Sequence, residues 1–187
     1  METQTLKRIM KESTPALIAA ALIDVAAGVA LQLKVDVWAA IPAFLMLVPP
    51  LNDLGNDLAC IISSRITTLL ALGIIRPEWK TNETLKENFI PLIIVGAFSS
   101  VYIAILNFLL AYAIGVETIS LGSFIAVCII AVMLLTSLVA VISISVAFLA
   151  WKKGLDPDNT TIPISTSISD VLGILCLLIA IRIIGFI

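Results

Sequence analysis

The stretch that decides the fold is SLGSFIAVCIIAVMLLTSLVAVISISVAFLAW, residues 120–151, which contains no acidic or basic side chain. A helix that crosses a bilayer needs about 20 consecutive apolar residues, and this run is longer. A helix that is apolar on every side offers no face to water, so it belongs in a large protein core or in a membrane. The stretch therefore predicts a membrane-spanning helix that is long enough to tilt or to project beyond the bilayer.

The composition of the whole chain points the same way. Of its 187 residues, 60% are hydrophobic and 13% are charged, whereas soluble domains have about 45 to 50% apolar and about 25% charged residues. The net charge of −2 provides no basic surface for nucleic acid, and the chain lacks histidine, the commonest metal ligand. These numbers exclude a soluble enzyme. They predict an all-α integral membrane protein that sits in a lipid bilayer and does not bind nucleic acid.

We predict a polytopic protein with five transmembrane helices. Residues 1–13 form a short amphipathic cytoplasmic lead-in, and residues 14–187 form the five-span transmembrane pore domain. The second apolar stretch, 37–73, is nearly twice as long as a bilayer requires and contains two adjacent prolines, so we expect the second helix to be broken. The predicted spans cover residues 15–33, 37–73, 89–115, 120–151 and 161–184.

The basic residues outside the spans predict the orientation. Three lie in the lead-in, three in the loop after the second span (Arg76, Lys80 and Lys86) and two in the loop after the fourth span. These eight lie on one side of the membrane, and Lys34 alone lies on the other. Because cytoplasmic loops are enriched in Lys and Arg, we predict a multi-pass protein of the plasma membrane, with its N-terminus in the cytoplasm and its C-terminus outside.

Four aspartates fall inside the predicted spans, and each needs a partner. An aspartate near the centre of a membrane helix costs about 2.5 to 3.5 kcal/mol on insertion scales, so four unpaired ones would cost about 10 kcal/mol. They must therefore face one another, water or a cation. Asp24 stands alone on its helix; it could contribute to the site, but a structural pairing with Arg65 or with a small-residue neighbour is the simpler interpretation. The four residues are Asp24, Asp53, Asp57 and Asp170.

The second span carries a concentration of oxygen-bearing side chains in PPLNDLGND, residues 49–57. Two asparagines are four residues apart and so are two aspartates, which places their oxygens on one side of a helix. Oxygen ligands would converge there on a cation. The side chains concerned are Asn52, Asp53, Asn56 and Asp57.

The backbone of the same segment is also unusual. Pro49 and Pro50 have no backbone N–H, so a helix through them would leave two carbonyls without donors. Such carbonyls are tolerated at membrane depth only where they line a cavity or are buried in protein. Gly55 allows a bend or the close approach of another helix. We predict a pore-lining hinge here; the alternative is a kinked helix whose polar residues satisfy one another.

The fifth span has one polar stripe on an otherwise aliphatic helix. Thr166 and Asp170 are four residues apart, and Gly173 follows on the same side. Asp170 lies about 12 Å into the predicted span, which is near the membrane midplane. We predict that Asp170 and Thr166 contribute to a metal site; the alternative is an ion pair between Asp170 and Arg65 or Arg182.

Asp156, Asp158 and Asn159 form an acidic cluster at the cytoplasmic start of the fifth span. The cluster is either a pore entrance that attracts cations or a solvated turn with a helix cap, and both interpretations fit the composition equally. The donors available in the chain are carboxylates, amides, hydroxyls and carbonyls, which suit hard cations such as Mg²⁺, Ca²⁺ or Mn²⁺.

The function that follows from these residues is divalent-cation transport, passive or gated, by a protein that is not an enzyme. An alternative from another class is an intramembrane metal-dependent lipid phosphotransferase, because aspartate-rich helices also hold Mg²⁺ for lipid chemistry. The fit is poor, because the segment DLGNDLACIISSR, residues 53–65, reproduces only fragments of what such enzymes need. A structural subunit of a larger complex would leave the acidic residues without a task.

Two segments resemble the membrane part of the MgtE magnesium channels and their eukaryotic solute-carrier relatives. The first is PPLNDLGNDLACIISSRITTLLALG, residues 49–73, with a proline, then Gly-Asn, an acidic residue and a Ser/Arg/Thr stretch that ends in Gly. The second is GLDPDNTTIPISTSISDVLG, residues 154–173, with Gly-x-Asp-Pro, a Thr/Ser-rich turn and Asp-Val-x-Gly. They occur in the family's order, separated by two uncharged spans, and the resemblance covers residues 15–187.

The resemblance implies a homodimer whose cation pore runs along the subunit interface, lined by the second and fifth spans. Asp170 matches the family's central pore aspartate, which holds a largely hydrated Mg²⁺ together with its symmetry mate. Asn56 and Gly55 match the Gly-Asn pair near that site. Asp156 matches an acidic residue at the cytoplasmic entrance, and Asp57 fits the solute-carrier branch, which has an acid there.

One feature of the family has no counterpart in this sequence. Bacterial members have large cytoplasmic regulatory domains ahead of the membrane part, where this chain has residues 1–13. We therefore expect either that a separate cytoplasmic regulatory protein supplies this function or that the isolated pore behaves differently. The prediction covers both a channel and a carrier coupled to Na⁺ or H⁺.

Overall fold

The computed structural model of the chain describes residues 2–79 and 83–186. Lys80, which contributes to the predicted charge bias, lies outside the described residues, as do Met1 and Ile187. Within the described residues the protein is all-helical, with seven helices and no strand. The helices are α1 (Glu2–Gln32), α2 (Val35–Ala40), α3 (Pro42–Leu45), α4 (Val48–Ala71), α5 (Glu83–Ala113), α6 (Leu121–Lys152) and α7 (Pro157–Ile184).

Four helices in the described part of the chain are long and apolar enough to cross a membrane. Because a bilayer accepts only segments whose backbone groups are bonded internally, these helices make the chain a multi-pass membrane protein. Helix α4 has 24 residues, or about 36 Å at helical rise, but it contains two aspartates and an arginine and does not belong to this set. The four spans are Leu6–Gln32, Thr84–Ala113, Leu121–Lys152 and Pro157–Ile184.

The predicted second span is divided among α2, α3 and α4. Pro49 and Pro50 lie in the first turn of α4, where a missing N–H costs nothing because it would have no intrahelical acceptor. The buried indole of Trp38 on α2 donates a hydrogen bond to the carbonyl of Leu31 on α1, at 2.9 Å. This bond folds α2 back against the end of α1.

Three helices begin earlier than the sequence predicts and continue through a proline. Pro15, Pro91 and Pro163 lie inside α1, α5 and α7. Each proline removes one intrahelical hydrogen bond, but the neighbouring bonds persist because a membrane offers the backbone no water as a substitute. As a consequence, the lead-in and the first predicted span form one continuous helix.

Helices α6 and α7 pack against each other and against α4, and together they form the centre of the bundle. Helix α1 packs on α7, and α5 packs on α6. One end of the bundle is closed by aromatic rings. Phe124 of α6 stacks on Phe44 of α3 with 5.8 Å between ring centroids, while Phe108 and Phe186 make edge contacts with this pair.

The starts of α1, α5 and α7 lie at the opposite end of the bundle, together with the ends of α4 and α6. Glu12 of α1 contacts the first turn of α7, and Trp79, which follows α4, contacts Phe148 near the end of α6 with 5.9 Å between ring centroids. Arg65 of α4 contacts Asn88 of α5. This end therefore contains the described parts of all three basic segments.

Candidate functional site

A single hydrogen bond joins the two helices that the sequence singles out. Asn56 Nδ2 of α4 donates to Asp170 Oδ1 of α7 at 3.1 Å. Asp170 lies halfway along α7, about 20 Å from either end at helical rise. In the described part of the chain no ion pair joins Asp170 to Arg65 or to Arg182. Its carboxylate therefore lies midway along a candidate membrane span, with an amide as its hydrogen-bond partner.

Two glycines bring α4 and α7 into close contact around this bond. A Cβ at Gly55 would overlap Ser169 Oγ and lie 3.0 Å from the side chain of Leu135, and a Cβ at Gly173 would overlap Asn52 Oδ1. Small residues of this kind allow membrane helices to pack at short distance. Side chains of α6 and α7 therefore pack directly against Gly55, and a side chain of α4 packs against Gly173.

Buried oxygens line the crossing of α4 and α7. Asn52 Oδ1 and Asn56 Oδ1 have no hydrogen-bond partner in the described part of the chain. The same is true of three hydroxyls on the buried side of α7, those of Thr161, Ser165 and Ser169. Because buried polar groups are normally paired, each exception calls for an explanation. Of these atoms, the oxygens of Asn52, Asn56 and Ser169 lie where α4 and α7 are in contact.

The aspartates of α4 lie elsewhere. Asp53 and Asp57 are exposed, whereas Asn52 and Asn56 are half-buried against α7. Successive residues of a helix are about 100° apart, so neighbouring asparagines and aspartates occupy adjoining faces. Within one copy of the chain, the predicted set of four side chains is therefore divided into a face that meets α7 and an exposed acidic face.

Two further candidates lie close to Asp170. The hydroxyl of Thr166 donates to the carbonyls of Ile162 and Pro163, at 3.0 and 3.1 Å, so its proton is used within α7 and its oxygen remains an acceptor. Asp24 is exposed on α1, the helix packed on α7. Among the described residues, no ion pair joins Asp24 to Arg65. Arg65 donates a hydrogen bond to Asn88 instead.

The acidic cluster at the start of α7 takes part in a network. Asp156 is the N-cap of the helix, and its Oδ1 accepts the backbone N–H of Asp158 at 3.1 Å. Glu12 Oε2 accepts the backbone N–H of Asp156 and the Nδ2 donor of Asn159, both at 3.1 Å. Glu12 Oε1 pairs with Arg8 at 2.8 Å. Asp156 thus acts as a helix cap, while the carboxylate of Asp158 is exposed.

Glu12 has a structural role that the sequence analysis did not identify. Its side chain is 9% exposed, and its carboxylate joins α1 to α7 across the cluster. The one local signal was the spacing of four residues between Arg8 and Glu12, which predicts a pair on a helix surface. A contact with residues so distant in the sequence has no such signal.

A cavity of about 420 Å³ adjoins this network. Asp156 and Asp158 form one side of it, Arg8 forms another, and Thr67 and Trp151 close it toward α4 and α6. The hydroxyl of Thr67 is buried and has no partner in the described part of the chain. The residues predicted to form the entrance thus adjoin a cavity with acidic, basic and apolar lining.

The chemistry of the central pair suits a hydrated cation. A site that replaces the waters of a metal ion needs several protein ligands. Among the described residues, no three His, Cys, Asp or Glu side chains are grouped so that they could hold a metal ion together. Mg²⁺ gives up its waters reluctantly and is usually bound through one or two carboxylates. One Asp170 carboxylate with nearby amide oxygens can bind such an ion through its water shell.

Comparison with known proteins identifies the family. A family model described as MgtE, divalent cation transporter, matches residues 48–180, from the start of α4 to the last turns of α7. No match was found among curated proteins or among solved structures. The family consists of transporters, so the lipid phosphotransferase alternative has no support. The matched region covers most of the chain and includes Asn56, Asp170 and the start of α7, and the chain accordingly belongs to the MgtE family of divalent cation transporters.

Proposed function

We propose that this protein transports Mg²⁺ across the plasma membrane through a pore at the interface of a homodimer, lined by α4 and α7. The observation that carries the proposal is the pair of Asn56 and Asp170, in which a mid-membrane carboxylate has an amide partner and no basic one. A half-buried negative charge inside a membrane span is stabilised by a nearby cation. Mn²⁺ and Ca²⁺ share the preference for oxygen ligands and are the other candidate ions.

The exposed face of α4 supports the dimer. Asp53 and Asp57 would face hydrocarbon if a single copy sat alone in the bilayer, at a cost of about 2.5 to 3.5 kcal/mol each. A second copy of the chain related by two-fold symmetry would place the same face opposite itself. The aspartates would then face a water-filled path between the subunits, where their charge attracts cations.

In this arrangement α4 is the fifth membrane crossing, and the second predicted span is broken into two short helices and α4. The start of α1 and the segments that follow α4 and α6 carry the described basic residues, and they lie at one end of the bundle. Five crossings, with α4 as the second, place these three segments on the same side of the membrane. Cytoplasmic loops are enriched in Lys and Arg, so this end is the cytoplasmic one. Pro49 and Pro50, at the start of α4, then lie toward the outside.

The two Asp170 carboxylates would face each other across the symmetry axis. Two like charges at short distance repel each other unless a cation lies between them. The Nδ2 donor of Asn56 fixes the orientation of each carboxylate. The acceptor oxygen of Thr166 and the exposed carboxylate of Asp24, on the helix packed on α7, would add to the negative potential there.

The entrance lies at the start of α7. The exposed carboxylate of Asp158 attracts cations, while Asp156 and Asn159 hold the first turn of the helix in place. A cavity of about 420 Å³ gives hydrated ions room beside it. A cation would pass from this cavity along α4 and α7 to the central carboxylates.

Magnesium uptake into liposomes tests the proposal. Asp170→Asn keeps the shape of the side chain but removes its charge, and we expect it to abolish most of the uptake while the dimer persists in size-exclusion chromatography. Asp36→Asn is the control for the loss of an aspartate charge, because Asp36 is exposed and lies on α2, outside α4 and α7. Normal uptake by Asp170→Asn would refute the proposal.

A further inference from the structure

Three buried hydroxyls in the centre of the bundle have no hydrogen-bond partner in the described part of the chain. They belong to Ser63 of α4, Ser143 of α6 and Thr161 of α7, each of them 1% exposed or less. A hydroxyl inside a helix can donate to a carbonyl one turn earlier, as the buried hydroxyls of Ser100 and Thr160 do. Because buried polar groups are normally paired, the three exceptions call for a partner.

The register of the three helices places these hydroxyls at one level. Helices α4, α6 and α7 meet at Gly55, where a Cβ would contact Ser169 Oγ of α7 and the side chain of Leu135 of α6. Helix α7 runs opposite to α4 and α6, because its start lines the same cavity as their ends. Eight residues further along α4 and α6, and eight residues back along α7, lie the three hydroxyls, about 12 Å from Gly55 at helical rise.

Two further contacts between α4 and α7 support this register. A Cβ at Gly173 would overlap Asn52 Oδ1, and Thr67 and Pro157 line the same cavity. From the first contact to the second, α4 advances by 15 residues and α7 goes back by 16. The hydroxyls of α4 and α7 lie four residues, or about 6 Å, before the second contact on both helices.

The space between these two helices grows toward the cavity. At Gly55, α4 and α7 are in direct contact, whereas at Thr67 both helices line the cavity of about 420 Å³. The buried residues one turn to either side of the three hydroxyls include Ala59, Ala147 and Ser165, which are all small. The hydroxyl of Thr67 is also buried and unpartnered within the described residues. A seam lined by hydroxyls thus leads from the cavity to the level of the three side chains.

The chemistry of this seam suits water. Each hydroxyl offers one donor and two acceptors and carries no charge. Among the residues that the structure describes, no buried side chain is charged, so the seam has no carboxylate to neutralise a cation. A buried water molecule makes about three hydrogen bonds to groups that are otherwise unsatisfied, and three hydroxyls from three helices provide them.

We propose that at least one ordered water molecule is bound by Ser63, Ser143 and Thr161 and joins the three central helices of the bundle. Polar groups between membrane helices hold the helices together through hydrogen bonds. The water site fixes the first half of α7, the helix that carries Asp170, against α4 and α6. The inference does not depend on the transported ion or on the dimer.

Crystals of the full chain that diffract well enough to show ordered water test this site. We expect density for a water molecule within about 3 Å of at least two of the three hydroxyl oxygens. Hydroxyls that turn to carbonyls of their own helices, or that bond to one another with no water between them, would overturn the proposal. A metal ion at this position would overturn it as well, because the proposed guest is neutral.

Thermal unfolding in detergent tests the same site without crystals. Thr161→Val keeps the shape of the side chain and removes its hydroxyl. We expect this variant and Ser143→Ala each to lower the melting temperature by several degrees, because the bound water loses a partner. The double variant should lose much less than the sum of the two, since the second substitution acts on a water site that is already disrupted.

A control pair combines Thr161→Val with Ser145→Ala. Ser145 lies two residues further along α6, and its hydroxyl donates to the carbonyl of Val141 at 2.7 Å, so the losses in this pair should add. Additive losses in the pair of Ser143→Ala and Thr161→Val would overturn the proposal. Ser63→Ala takes the place of Thr161→Val in both pairs if that variant does not fold.

Discussion

Two amide–carboxylate pairs in this protein have the same geometry and different surroundings. At the start of α7, Asn159 donates to Glu12 at 3.1 Å, and at its middle Asp170 accepts from Asn56 at the same distance. The carboxylate of Glu12 also accepts a backbone N–H and pairs with Arg8. No basic residue pairs with Asp170 in the described part of the chain, and Asn56 Oδ1 is unpaired.

On the proposed function, this difference separates a structural pair from a pair that takes part in cation transport. Where a carboxylate is neutralised within the protein, its removal costs stability because the groups that it satisfied lose their partner. Where a carboxylate stays unneutralised at membrane depth, its charge is available to a cation. The two pairs should therefore respond in opposite ways to the same substitution, one in stability and the other in ion flux.

The largest expected difference is between Asn56→Ala and Asn159→Ala. We expect Asn56→Ala to lower Mg²⁺ uptake about tenfold, because the loss of a group that orients a metal ligand lowers metal affinity or activity by about that factor. Asn159→Ala should leave uptake per folded protein within about twofold, because it removes one of several bonds to Glu12. Uptake by both variants is measured in the same liposomes, and equal losses would show that the comparison is mistaken.

The close approach of α4 and α7 should be nearly as sensitive. Gly55→Ala places a methyl group against Ser169 Oγ and Leu135, and we expect it to destabilise the protein by about 1 to 3 kcal/mol and to reduce uptake. Gly122→Ala is the matched control, because a Cβ there would meet nothing within 4 Å. Unfolding in detergent measures both, and a fully stable Gly55→Ala variant would mean that the helices do not pack this closely.

Removal of the carboxylate of Glu12 should affect stability more than transport. Glu12→Ala deprives Asp156 N–H and Asn159 Nδ2 of their acceptor, so we expect a melting temperature several degrees lower and uptake per folded protein near that of the unaltered chain. Glu12→Gln retains an acceptor oxygen and should lose less. If uptake fell as strongly as in Asn56→Ala, the start of α7 would belong to the transport machinery.

The smallest effect is expected at Asp158. Its carboxylate is exposed at the proposed entrance, so Asp158→Asn should weaken the attraction of cations and slow uptake by about twofold at low ionic strength. The effect should disappear at high salt, because exposed charges are screened over about 10 Å at 0.1 M. A loss of uptake that persists at high salt would contradict this electrostatic role.

Much of the fold follows from hydrophobicity alone. The stretch 120–151 predicts α6 to within a residue at each end, because an uncharged run has no other stable place than the membrane. Helix starts were less predictable. Pro15, Pro91 and Pro163 are typical of a first turn, but the membrane keeps each of these helices intact through its proline.

The site was predictable in its parts and less so in its contacts. Asn56, Gly55 and Asp170 stood out because polar or flexible residues are costly in an apolar span, and the structure brings them together. The separation of Asp57 from Asn56 onto an exposed face depends on the position of α7, which residue spacing does not contain. The role of Glu12 depends in the same way on contacts between distant segments.

The position of a bound cation tests the central claim most directly. Crystals of the full chain grown with Mn²⁺ in place of Mg²⁺ would reveal the ion by its anomalous scattering. We predict one ion on the two-fold axis between two Asp170 carboxylates, at a distance longer than the roughly 2.1 Å of direct coordination because water lies between. The account would be contradicted by Asp170 side chains that face lipid, or that pair with arginines of their own copy, with no ion between the subunits.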